Sequence, residues 1–276
     1  MGICISSASF EFQPVDFGNE NVVLYEDYNI NRYKQLPSLL LKLTFSLPKV
    51  FSEKQNVMRR NFNKWKKACW SSFMVMDRDI KSLENLDSSF SGTTAVVAIR
   101  QDDDLVIANV GDSRAVLGRK KEEGVIEAVQ LTTDLKPTEA ERIRRCGGRV
   151  FAPQEEPHVQ RVYLPKEDVP GLAMTRSFGD FMLKYLGIIS EPDVSYHHIT
   201  PNDQFVVLAT DGVWDVLSND QVVSIVCATN NAAAAAEAVV QASLDAWKQR
   251  FPNSKRDDST VICLYLQQGA SLQNGT

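Results

Sequence analysis

The chain has 276 residues, of which 43% are hydrophobic and 24% are charged, so it is long and apolar enough to bury a core. Its 30 basic and 35 acidic residues leave a net charge of -5, which excludes a general electrostatic attraction to nucleic acid or to an anionic membrane. The 5 cysteines form no C-x-x-C pair and the 3 histidines all follow residue 157, which argues for an intracellular protein without a zinc site.

The first six residues, MGICIS, match the M-G-x-x-x-[ST] pattern for N-myristoylation. Gly2 would carry the myristoyl chain and Cys4 could accept a palmitoyl chain, and two chains together would anchor the protein stably. The alternative is an ordinary start that matches a short pattern. We therefore expect an intracellular protein, which is associated with the plasma membrane if Gly2 is acylated and is otherwise cytoplasmic or nuclear.

Residues 10–55 show little regular pattern, because Pro14, Pro37 and Pro48 interrupt any long element and only residues 22–25 have the period of a strand. Residues 61–80 are different. They repeat apolar side chains at helical spacing and have a basic start, which predicts either a helix packed on the core with a solvated basic side or, less simply, a partner-binding helix.

From residue 91 onward, short runs rich in Val, Ile and Leu alternate with turn signals and predict strands at 94–99, 105–110, 114–117, 126–131, 205–209 and 261–266. Consecutive strands joined by short turns pair antiparallel. Helices are predicted at 137–145, after the capping box formed by Ser218 and Gln221, and at 231–250. Strands with segregated helices indicate an α+β domain in layers.

Three of the predicted strands have acidic residues at their ends. Asp112 follows the strand at 105–110, Asp211 follows the strand at 205–209, and Asp257 shortly precedes the strand at 261–266. Carboxylates gathered at one end of a sheet would repel one another unless a cation neutralised them, and oxygen ligands without a nearby histidine favour Mg²⁺ or Mn²⁺. The alternative is that these aspartates, which lie beside glycine or serine, simply form turns.

Seven motifs in the chain resemble, in order, those of the metal-dependent type 2C protein phosphatases: SGTTA (91–95), NVGDSRA (109–115), LTTDLKP (131–137), GGRV (147–150), LAMTRSFGD (172–180), ATDGVWDV (209–216) and RDDSTV (256–261). The resemblance spans about two-thirds of the chain and looks plant-like. It implies two antiparallel sheets in a sandwich flanked by helices, incomplete on the amino-terminal side. It also implies a divergent segment at 1–55, a phosphatase-like domain at 56–268 and a tail at 269–276.

The resemblance further implies a role for four aspartates. Asp211 and Asp257 match the family's ligands to one metal, and Asp112, Asp211 and Asp215 match its weaker third metal site. The implied activity is Mg²⁺- or Mn²⁺-dependent hydrolysis of phosphoserine and phosphothreonine by a metal-activated water, with no covalent intermediate. The expected partner is a phosphoprotein, and we expect a monomer that binds no nucleic acid.

The chain departs from the family in one motif. The family's early DGHGG supplies a metal-bridging aspartate, a carbonyl ligand and a histidine thought to act as general acid. No histidine precedes His158, and the only Asp-Gly pair is Asp211-Gly212, so this motif is absent. We therefore assign no catalytic residue, and we keep as the alternative an inactive relative that binds phosphoproteins or regulates other proteins, or a truncated product that folds poorly.

Overall fold

The computed structural model describes residues 2–4, 22–26, 58–84, 86–122, 124–136, 139–154, 157–229, 231–253 and 256–267. The strands in these ranges are β1 (Gly2–Cys4), β2 (Val22–Glu26), β3 (Gly92–Thr93), β4 (Ala95–Gln101), β5 (Asp104–Val110), β6 (Arg114–Lys120), β7 (Ile126–Gln130), β8 (Arg149–Phe151), β9 (Arg161–Tyr163), β10 (Pro170–Leu172), β11 (Phe178–Gly179), β12 (Asp193–His198), β13 (Asp203–Ala209) and β14 (Thr260–Tyr265). The helices are α1 (Met58–Lys81), α2 (Ala140–Arg145), α3 (Asp211–Trp214), α4 (Asn219–Cys227) and α5 (Ala232–Arg250), with a 3₁₀ helix at Phe181–Leu186.

Two antiparallel sheets form the centre of the molecule. One has the strand order β1-β4-β5-β12 and the other has the order β2-β14-β13-β6-β7. Their facing sides share a core in which Val96, Ala98 and Ile107 of the first sheet lie in one cluster with Leu117 and Leu208 of the second. The predicted sandwich of antiparallel sheets is therefore confirmed.

Helices cover the outer sides of both sheets. On α1, Cys69, Phe73, Met76 and Ile80 pack against the alternate side chains of β4, such as Val97. On the other side, α4 and α5 cover the second sheet. Because both faces of each sheet are buried, the strands are continuous apolar runs rather than alternating ones.

The predicted elements lie close to the observed ones. Helix α1 has the predicted core-facing side, and its exposed side carries Lys64, Lys66 and Lys67. Ser218 and Gln221 form the predicted capping box at the start of α4. The helix predicted at 137–145 begins later, at Ala140, and residues 137–138 lie outside the described residues.

Two edge strands come from the amino-terminal part of the sequence. The backbone of Gly2–Cys4 pairs with β4, and that of β2 pairs with β14. The rest of the predicted segment at 1–55 and the predicted tail at 269–276 lie outside the described residues. The expectation that the fold is incomplete on the amino-terminal side concerns the same residues and stays a prediction. Among the described residues, no helix combines the length and apolar character needed to span a membrane.

Candidate metal centre

One end of the five-stranded sheet gathers the ends of several strands. Ala209, the last residue of β13, pairs with the first residue of β6 and with the second residue of β14. Asp112 lies just before β6, Asp211 just after β13 and Asp257 just before β14. The antiparallel register therefore brings these three aspartates to the same end of the sheet. The last residue of β2, Glu26, pairs opposite the start of β14 at this end as well.

The segment that carries Asp211 is packed closely against the segment that carries Asp257. A Cβ atom on Gly212 would lie 2.2 Å from the carbonyl oxygen of Asp258, so only glycine allows the two backbones to approach this closely. The indole N–H of Trp247 on α5 donates a hydrogen bond of 2.6 Å to the carbonyl of Gly212. The DG pair thus has a packing role next to the aspartate.

Hydrogen bonds around Thr210 join the same two segments. The Thr210 hydroxyl donates to the carbonyl oxygen of Asp258 at 3.1 Å, and it accepts from the backbone N–H of Thr260 at 3.0 Å. The carboxylates are also held locally: Asp211 accepts from the N–H of Gly212 at 3.0 Å, and Asp257 accepts from the N–H of Asp258 at 2.9 Å. Both carboxylates therefore sit on backbone that several hydrogen bonds fix in place.

Asp112 is the most informative of the candidate ligands. It is only 4% exposed, and its Oδ1 has no hydrogen-bond partner. Its neighbour Gly111 has a φ of +96°, and a Cβ atom there would lie 2.2 Å from the side chain of Thr94. Ser113 on the other side is bonded to the Thr94 hydroxyl at 2.8 Å. The packing of Gly111 and Ser113 against Thr94 therefore fixes the Asp112 carboxylate in a buried position. A buried oxygen without a hydrogen bond lowers the stability of the fold.

Asp215, the second aspartate of the DGVWD motif, has a different environment. It is about half exposed, and its Oδ1 lies 3.1 Å from the ammonium of Lys136. Its backbone N–H donates to the carbonyl of Asp211 at 2.8 Å, which closes the short helix α3. Lys136 comes from the LTTDLKP motif, so this pair joins two motifs that are distant in sequence.

The pKa values of Asp211 and Asp112 reflect burial and the acidic groups around them. Burial raises the pKa of Asp211 well above its usual range, and Asp112, Asp257 and Asp215 add to the rise while Lys136 opposes it. Burial likewise raises the pKa of Asp112 to about 6, again opposed by Lys136. Asp112, Asp215 and Asp257 therefore lie close enough to Asp211 to influence its ionisation, and their role as metal ligands stays a prediction.

The candidate donors are carboxylate oxygens, which are the type of ligand that a hard divalent cation prefers. In the present arrangement of the described residues, no three His, Cys, Asp or Glu side chains are close enough to enclose a metal ion. However, a cation at this end of the sheet would supply the missing partner of Asp112 Oδ1 and would relieve the repulsion that acts on Asp211. Carboxylate oxygens at such a point are suited to Mg²⁺ or Mn²⁺ rather than to softer metals.

Lys136 is a feature of the centre that the sequence patterns did not predict, because only its place in the LTTDLKP motif could have indicated it. Asp180, in the LAMTRSFGD motif, has a separate environment. It occupies the N-cap position of the 3₁₀ helix without a capping hydrogen bond from its side chain, and its carboxylate accepts from the hydroxyl of Ser177 at 2.7 Å.

Comparison with known proteins identifies relatives across most of the chain. A family model described as protein phosphatase 2C matches residues 43–249, which include Asp112, Asp211 and Asp215. The Arabidopsis thaliana protein named "Probable protein phosphatase 2C 72" is 55% identical over 237 residues, which are 84% of this chain and 70% of that protein. The Oryza sativa subsp. japonica protein named "Probable protein phosphatase 2C 38" is 59% identical over 202 residues, which are 72% of this chain but only 44% of that protein.

Solved structures show the same fold at low sequence identity. The serine-threonine phosphatase 2C from Toxoplasma gondii superposes with a TM-score of 0.75 and 21% identity, and the match covers 96% of this chain and 99% of that one. A C. elegans sex determining protein superposes with a TM-score of 0.63 and 21% identity, over 89% of this chain and 56% of that one. At such identities the likeness concerns the fold alone.

Proposed function

Because the chain belongs to the protein phosphatase 2C family, we propose that it is a metal-dependent protein serine/threonine phosphatase. The observation that carries the proposal is the gathering of four aspartates at one end of the sheet, with an unpartnered carboxylate oxygen on the buried Asp112. Without a metal this arrangement destabilises the fold, because Asp112 Oδ1 is buried and has no hydrogen-bond partner.

The alternative, an inactive relative that binds phosphoproteins, is not favoured. Plant relatives that are 55% and 59% identical to this chain are named as probable phosphatases. The four retained aspartates also favour a phosphatase over a phosphoprotein-binding module, because four carboxylates without a metal would repel a phosphate group.

The metal we propose is Mg²⁺ or Mn²⁺. Asp211 and Asp257 would be its main ligands. Asp112 and Asp215 would support, together with Asp211, an additional and weaker position. When bound, the metal would lower the pKa of a coordinated water and neutralise the phosphoryl oxygens of the substrate.

The protein's own residues would position this chemistry. Gly212 lets the Asp211 and Asp257 segments touch, and the Thr210 hydroxyl links them on both sides. The family's early histidine is absent, and general acid catalysis typically contributes about 10²- to 10⁴-fold. We therefore expect slow turnover, with the leaving oxygen protonated by solvent.

The test is the hydrolysis of a phosphothreonine peptide with Mn²⁺ in large excess. Wild-type protein should release phosphate in a metal-dependent manner, and Asp211→Ala should abolish the release. Asp245→Ala is the matched control, because Asp245 is an exposed aspartate on α5 whose side chain is 64% exposed. Phosphate release that is equal in wild type and Asp211→Ala would contradict the proposal.

The substrate and the location in the cell belong to the same proposal. We infer a phosphoprotein substrate, a monomeric enzyme and an intracellular location. If Gly2 is myristoylated and Cys4 palmitoylated, the enzyme would be held at the plasma membrane, and Gly2→Ala should then release it to the soluble fraction. A distribution that Gly2→Ala leaves unchanged would refute the lipid anchor without affecting the phosphatase activity.

A further inference from the structure

Lys136 places a fixed positive charge beside the candidate metal ligands. Its ammonium nitrogen lies 3.1 Å from Asp215 Oδ1 and is close enough to Asp112 and Asp211 to stabilise their charged forms. The lysine is therefore the counter-ion of the acidic centre when no metal is bound.

The backbone that carries Lys136 is pinned from two directions. The N–H of the preceding residue, Leu135, donates to the carbonyl of Gly111 at 2.9 Å, next to Asp112. The carbonyl of Leu135 accepts from the N–H of Thr175 at 3.1 Å and from its hydroxyl at 3.3 Å. The backbone next to Lys136 is therefore held in a fixed position relative to the carboxylates.

A second layer of ion pairs holds this anchoring in place. Glu139 accepts from the Thr175 hydroxyl at 3.0 Å and from Arg176 at 2.6 and 3.0 Å, and it also pairs with Arg142 at 2.8 Å. Arg142 in turn donates to the carbonyl of Thr175 at 3.0 Å. The position of Lys136 therefore depends on a connected network rather than on a free loop.

In contrast, the ion pair between Lys136 and Asp215 is partly open to solvent, because the two side chains are 44% and 42% exposed. An exposed pair of this kind contributes little to stability by itself. A divalent cation that enters the centre would compete with the ammonium for Asp215 and would be repelled by it.

We propose that Lys136 acts as a built-in competitor of the metal ion, which holds the carboxylates together in the metal-free protein and raises the metal concentration needed to fill the centre. The proposal rests on the proposed function, because it concerns the same metal site. It makes Lys136 a positioning residue that sets metal affinity, and it assigns no contact with the substrate.

The test measures Mn²⁺ binding directly, by titration calorimetry and by the electron paramagnetic resonance signal of free Mn²⁺. Lys136→Gln removes the charge but keeps much of the length, and it should bind Mn²⁺ about tenfold more tightly than wild type, since loss of a neighbouring positive charge favours a cation. Lys136→Arg keeps the charge and should bind within about twofold of wild type. Lys121→Gln is the matched control, because Lys121 pairs with Glu127 on an outer strand of the sheet at 2.9 Å.

The outcomes separate the two claims. If wild type binds Mn²⁺ and Lys136→Gln binds equally or more weakly, the competitor role is overturned while the metal centre stands. If neither protein binds Mn²⁺, both the competitor role and the proposed function are overturned. Binding that is detectable only in Lys136→Gln would support the competitor role strongly. Thermal unfolding of each variant shows that a change in affinity does not come from loss of the fold.

Discussion

Replacing Gly212 by alanine tests how closely the two metal-binding segments must approach. A Cβ atom at this position would lie 2.2 Å from the carbonyl oxygen of Asp258, whereas ordinary contacts begin near 3.4 Å. The backbone carrying Asp211 and the backbone carrying Asp257 would therefore have to separate by about 1.2 Å. A displacement of about 1 Å at a reacting centre costs on the order of 10²-fold in rate, and overpacking costs about 1 to 3 kcal/mol in stability.

Gly212→Ala should therefore lower Mn²⁺ affinity at least about tenfold and reduce phosphopeptide turnover by about 10²-fold. The matched control is Gly118→Ala in β6, where a Cβ atom would lie 2.4 Å from the ring of Phe205 in the sheet interior. That variant should lose a similar amount of stability by thermal unfolding but bind Mn²⁺ like wild type. If Gly212→Ala keeps wild-type Mn²⁺ affinity, the close approach of the two segments does not serve the metal centre.

Other substitutions test the scaffold around the centre. Ser218→Ala removes the capping box of α4 and should cost about 1 kcal/mol, measured by urea unfolding, while Ser224→Ala on the same helix serves as the control. Burial opposes the ionisation of Asp203, but hydrogen bonds lower its pKa to about 2, and the largest of these effects comes from Arg119. The ionised form of Asp203 therefore contributes about 2 kcal/mol to the free energy of unfolding. This contribution is fully present above the unfolded-state pKa near 4 and is lost as the pH falls through 2. Asp203→Asn should remove this part of the acid dependence of unfolding. Glu139→Gln breaks the ion pairs with Arg176 and should cost about 1 to 3 kcal/mol by thermal unfolding. An unchanged melting temperature would show that these ion pairs do not stabilise the fold.

Much of the scaffold could be predicted because it depends on local patterns. The apolar face of α1, including Phe73 and Met76, follows from helical spacing alone. The capping box at Ser218 is a four-residue signal that the structure reproduces. The three aspartates at strand ends could be found because strand boundaries are local, and their meeting follows once neighbouring strands are known to be antiparallel.

What could not be predicted depends on contacts between distant parts of the chain. Lys136 and Asp215 are 79 positions apart in sequence, and no local pattern indicates that they pair. Asp180 resembles a helix cap in sequence, but its backbone adopts φ = +49° and its carboxylate points to Ser177. Both outcomes are set by tertiary packing, which a propensity argument does not include.

The most direct measurement is the anomalous diffraction of a crystal grown with Mn²⁺, recorded at the manganese absorption edge. We expect an anomalous peak within coordination distance of carboxylate oxygens of Asp211 and Asp257, and displacement of the Lys136 ammonium from Asp215. A crystal saturated with Mn²⁺ that shows no peak at this end of the sheet would contradict the assignment of these aspartates as a metal centre.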